Sequence, residues 1–145
     1  MDLLGSNIEL QRSFSDEFRK KGRLALLGCG TAPGMSNIRA AHGVNLLEKP
    51  ESIEILDACV DMVPDTEHTR PLYWGYAIET IIDEFSDPAP YFHDGVMQYP
   101  PARSYRQVAD FRPPAGKVMV ANTDHSEQKT LSDTFKGKGV THVSW

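Results

Sequence analysis

Two stretches of this chain combine residue types at spacings that could do chemistry. The first is Leu24-Ala25-Leu26-Leu27-Gly28-Cys29-Gly30-Thr31-Ala32-Pro33-Gly34-Met35-Ser36-Asn37. An apolar run of strand length ends in two close glycines, and Pro33-Gly34 then leads into an amphipathic pattern long enough for a helix. Such a strand–turn–helix unit presents backbone N–H groups at a helix N-terminus to a ligand. Gly28 and Gly30 let the backbone turn sharply and approach a ligand closely. Pro33 suits the first turn of a helix, where its missing N–H is not needed. The second stretch is Thr123-Asp124-His125-Ser126-Glu127, where polar and ionisable groups follow an apolar strand. It reads as a site at a strand's end, or as the cap of the next helix with Ser126 or Asp124 as capping residue. Local chemistry alone favours the cap.

Other groups carry weaker signals. Gly28-Cys29-Gly30 before a helix, with Asp57 near the end of the next strand, invites a dinucleotide reading. Proline stands in place of the third glycine, however, and a helix precedes the strand where the domain's first strand belongs. Cys29 at a helix N-terminus could be a nucleophile, but no His or acid lies near it in sequence, and packing as a small hydrophobe is the better reading. His42, His68, His93 and His142 are scattered without ligand spacing, so no metal site is expected. Tyr73-Trp74-Gly75-Tyr76 leads into a helix. Tyr73 and Trp74 suit a core edge, whereas Tyr76 also suits the wall of a ligand pocket.

These residues need elements to position them. Residues 7–21 carry Leu10, Phe14 and Phe18 at four-residue spacing, as on one helix face, and Gly22 ends that helix after a basic last turn. Leu24–Cys29 reads as a buried strand, because its apolar run is continuous. The segment 34–48 reads as a helix with Met35, Ile38, Ala41 and Leu46 toward the core. Residues 52–62 read as a strand and 75–85 as a helix. Residues 91–99 form a hairpin around Asp94-Gly95, 117–122 and 141–145 are further strands, and 130–135 is a short helix. Helix, buried strand and helix in succession point to a mainly parallel sheet covered by helices.

Composition sets the outer limits. The 145 residues are 40% hydrophobic and 24% charged, in the range of a single globular domain. A net charge of −5 without a basic stripe argues against nucleic acid as a partner. Arg19-Lys20-Lys21 reads as a helix terminus facing solvent. No apolar run reaches membrane-span length, no signal peptide is evident, and Cys29 and Cys59 form no disulfide framework. A cytoplasmic protein is the expectation. The first helix begins almost at Met1 and the last strand runs to Trp145, so the chain reads as a piece of a larger protein with unpaired strand edges.

Taken in order, four motifs resemble the saccharopine dehydrogenase-like family of NAD(P)-dependent oxidoreductases along nearly the whole chain. Residues 25–37 are similar to that family's glycine turn ending in Pro-Gly. Tyr76 through Thr80-Ile81-Ile82-Asp83-Glu84-Phe85 resembles its tyrosine-led helix. Pro88-Ala89 with Asp94-Gly95 resembles the next loop and hairpin, and Asp124-His125-Ser126-Glu127 a late motif. The resemblance implies an α/β fold in which residues 1–48 are the C-terminal piece of a Rossmann-like parallel sheet. Residues 49–145 would be part of a mixed α/β substrate and dimerisation domain. It implies NAD or NADP in a homodimeric parent enzyme that transfers hydride at a C–N bond of an amino-acid or polyamine adduct. Gly28 and Gly30 would lie at the cofactor, with Pro33, Gly34, Asn37, Tyr76 and Thr80 on the substrate side and His125 as a proton carrier. The chain departs from the family at Ala77, where many relatives carry serine, and at Gln128, where proline is usual. By itself the segment is expected to be inactive. The alternative is a non-catalytic binding or oligomerisation module derived from such an enzyme.

Overall fold

The first helix starts on its own local chemistry. Asn7 opens the first helix by accepting the Leu10 N–H on its side-chain oxygen at 3.2 Å. The computed structural model describes residues 7–62 and 77–145. In chain order these form α1 (Ile8–Ser13), α2 (Ser15–Lys20), α3 (Met35–Leu46), β1 (Ser52–Glu54), α4 (Ile78–Ser86), β2 (Tyr91–His93), β3 (Val96–Gln98), β4 (Arg106–Asp110), β5 (Lys117–Ala121), α5 (Ser126–Phe135) and β6 (His142–Ser144). The protein is therefore mixed α/β, with parallel and antiparallel pairing in one small sheet. Among the described residues, no helix is long and apolar enough to cross a membrane.

The described residues form two compact units. One holds the chain up to Ile55 together with Pro90–Tyr99 and His125–Trp145. Its sheet runs β1-β6-β2-β3, with β6 parallel to β1 and antiparallel to β2. Register explains its two faces, since alternate residues of a strand point to opposite sides. Ile53 pairs with Val143, Val143 with Phe92, and Phe92 with Met97. That apolar row packs against Val44 and Ala41 of α3 and against Leu131 and Phe135 of α5. Val143 is wholly buried. Residues 141–145 were expected to end in an unpaired edge; β6 instead lies inside the sheet, paired on both sides. The Asp94-Gly95 turn joins β2 to β3 as the sequence indicates, through two left-handed residues with φ 50° and 77°.

The other unit contains α4 and the two-stranded ribbon β4–β5, within Leu56–Ala89 and Pro100–Asp124. Asn122 ties the ribbon's open end: its Oδ1 accepts the Tyr105 N–H at 2.8 Å. Here β4 is an addition to the sequence reading, because Arg106-Gln107-Val108-Ala109-Asp110 carries too little apolar alternation to announce a strand.

Four expectations require correction. Leu24–Cys29 forms no ladder, and Leu24 is 88% exposed. A strand exists only by pairing, and none of the described strands lies beside this run. The α3 face turned to the core is that of Ala40, Ala41 and Val44, whereas Met35, Ile38 and Leu46 are exposed. Leu10, Phe14 and Phe18 face solvent as well, because the helix breaks at Phe14 into α1 and α2. The strand expected over 52–62 is confined to Ser52–Glu54.

Candidate functional site

Gly34 makes the turn after Gly28 possible. It adopts φ 130°, a conformation that side chains rarely take, and a Cβ there would lie 2.3 Å from the Gly30 carbonyl oxygen. The turn closes on itself. Gly30 N–H donates to the Pro33 carbonyl at 2.7 Å, Met35 N–H to Gly30 at 3.0 Å and Ser36 N–H to Thr31 at 3.0 Å. Gly34 N–H donates to Asn37 Oδ1 at 2.9 Å, so Asn37 caps α3 from inside the helix. Pro33 is buried and precedes the N-cap Gly34, one position earlier than a first-turn proline.

The late polar motif meets this turn directly. Asn37 Nδ2 donates to Thr130 Oγ1 at 2.9 Å, and Ser36 Oγ donates to Glu127 Oε1 at 2.6 Å, across 91 residues of sequence. The second oxygen of Glu127 bonds His125 Nδ1. Neither Ser126 nor Asp124 caps α5. His125 itself occupies the N-cap in extended conformation, and Glu127 sits in the first turn, where a carboxylate favours the helix dipole. Glu127 is fully buried, which would be costly for a carboxylate without partners. The Ser36 hydroxyl and the His125 imidazole supply them.

This arrangement fixes an imidazole. The bond from Nδ1 to a carboxylate selects the tautomer in which Nε2 exchanges protons. The Trp145 ring stacks on His125 with centroids 4.1 Å apart and planes 12° from parallel. An imidazole oriented by a buried carboxylate is the usual equipment of a general acid or base. The structure thus brings Gly28, Gly30, Pro33, Gly34, Asn37 and His125 into one unit. Thr80 lies half-buried on α4 in the other unit, and Tyr76, Tyr73, Trp74 and His68 lie outside the described residues.

Sequence reasoning missed the roles of Ser36, Thr130 and Trp145, and treated Glu127 as a polar neighbour. The one available signal was Glu127 two residues from His125 at a helix start. Cys29 is half-buried, with its Sγ 3.6 Å from the Leu27 carbonyl oxygen. Burial, reinforced by Asp57 and Glu84, pushes the Cys59 thiol up, away from the thiolate form. Among the described residues, no three or more His, Cys, Asp or Glu side chains converge on one point.

Neither the comparison with protein-family models nor that with curated proteins returned a match.

Proposed function

We propose that this chain is part of a saccharopine dehydrogenase-like oxidoreductase that transfers hydride at a C–N bond of an amino-acid or amine adduct. The observation that carries the reading is the meeting of two separate family-like motifs. Residues 25–37 and Asp124–Glu127 resemble that family independently, and Ser36 and Asn37 of the first hydrogen-bond Glu127 and Thr130 beside the second. On this reading residues 1–48 close a Rossmann-like nucleotide domain and residues 49–145 begin a substrate and dimerisation domain.

The N–H groups of Gly30, Gly34, Met35 and Ser36 are bonded within the turn, so these four are not offered to the pyrophosphate of NAD or NADP. A complete enzyme would hold the cofactor's phosphates on other residues. Gly28–Gly34 would then face the substrate side, where Pro33 and Gly34 shape the wall and Asn37 holds it to α5. His125, held by Glu127 and Trp145, would carry the proton at Nε2 that the nitrogen of the adduct gains or loses.

A non-catalytic module remains the competing reading, favoured by the exposed aliphatic side chains of Leu24, Leu26, Ile38, Leu46 and Leu47, which suit a protein contact. Assaying the full-length product of the gene separates the two. With NAD or NADP and secondary-amine adducts of amino acids, the enzyme reading expects reduced nicotinamide to accumulate, read by its near-ultraviolet absorbance. His125→Gln should lower that rate by about 100-fold or more, as for loss of a positioned acid or base. A folded full-length protein without turnover of any such adduct in either direction would favour the binding module.

A further inference from the structure

The outward face of the four-stranded sheet carries a histidine pair that the proposed function does not use. The Phe92–Val143 pairing, continued by one residue, sets His93 of β2 opposite His142 of β6. Both side chains are half-buried, and their Nδ1 atoms stand 3.1 Å apart. Tyr91 holds both rings, stacking on His93 at 5.4 Å between centroids and meeting His142 edge-on at 5.0 Å. Asp94 Oδ2 lies 3.5 Å from His93 Nε2.

We propose that His93 and His142 chelate a divalent late transition metal ion of the zinc class through their two Nδ1 atoms. Two features support the assignment. Two nitrogens bound to one tetrahedral zinc at ordinary bond lengths stand about 3.3 Å apart, close to the 3.1 Å seen between these two. Asp94 is placed to accept the Nε2 proton of His93, which leaves the Nδ1 lone pair for a ligand. A carboxylate behind a coordinating histidine orients the ring and raises its basicity. Water would complete the coordination shell, and imidazole nitrogen selects zinc, copper or nickel over magnesium or calcium.

Isothermal titration of the full chain with zinc chloride, and separately with magnesium chloride, tests the site. The expected result is one saturable zinc site per chain and no magnesium heat. His93→Gln and His142→Gln should each weaken zinc binding by at least about tenfold, and Asp94→Asn by about tenfold, the low end for an orienting carboxylate. Cys59→Ser should leave it unchanged. Histidine ring resonances provide a second readout: zinc should move those of His93 and His142 and not those of the exposed His42. Absence of a saturable zinc site in the wild-type protein would overturn the proposal. So would wild-type affinity in either His→Gln variant with unaltered circular dichroism.

Discussion

Replacing Phe135 with alanine is expected to destabilise the protein by about 3–5 kcal/mol, the range for removing a buried aromatic side chain. Phe135 is only 4% exposed and packs with Val44, Phe92, Leu131, Val140 and Val143 between α5 and the sheet. Truncation would leave a cavity bordered by residues from two sheet strands and two helices, which cannot all collapse into it. Phe18→Ala is the matched control. Phe18 sits on α2 with 42% of its surface exposed, and its loss should cost about 1 kcal/mol or less. Urea denaturation of both variants, extrapolated linearly to water, measures the difference. Equal losses would mean that the α5–sheet interface is not the core.

Gly34→Ala should cost about 3 kcal/mol, the upper end for a residue forced into strained backbone. The added Cβ meets three backbone atoms, with Gly30 O at 2.3 Å, Gly30 N at 2.8 Å and Gly28 O at 2.9 Å, and φ is 130°. Backbone cannot swing aside as a side chain can. The Gly30–Met35 and Gly34–Asn37 hydrogen bonds would be disturbed with it. Cys29→Ala, in the same turn, removes a half-buried thiol and should cost less than about 1 kcal/mol. Denaturation curves for the pair decide the matter, and a Gly34→Ala variant within about 0.5 kcal/mol of wild type would contradict this geometry for the turn. The glycine requirement comes from the turn's own backbone, before any ligand is considered.

What the sequence disclosed followed the range of the interactions concerned. Asp94-Gly95 was readable because a two-residue hairpin turn is chosen by its own two φ values. The helix over 34–48 was readable from its period, but its buried face only at Ala41: Ala40 and Val44 join it there in place of the larger Met35, Ile38 and Leu46. Close packing of α3 on the sheet decides that, and helical period does not encode it. Leu24–Cys29 has the composition of a buried strand, yet pairing is a long-range property that composition does not contain. The site divides in the same way. Gly28, Gly34 and His125 stood out by local chemistry, whereas Glu127 becomes a buried bridge only when α3 and α5 meet, which brings it to Ser36 across 91 residues.

The central claim is that the Gly28–Asn37 turn and the start of α5 form one binding locus organised by Glu127. Nuclear magnetic resonance of the isotope-labelled chain, titrated with a secondary-amine adduct of two amino acids, tests it most directly. The account predicts that backbone amide resonances in 28–37 and in 125–130 shift together along one saturation curve. Glu127→Gln should weaken that response in both segments at once, since it alters the bridge between Ser36 and His125. Shifts confined to one segment, or no saturable shift in either, would contradict the account.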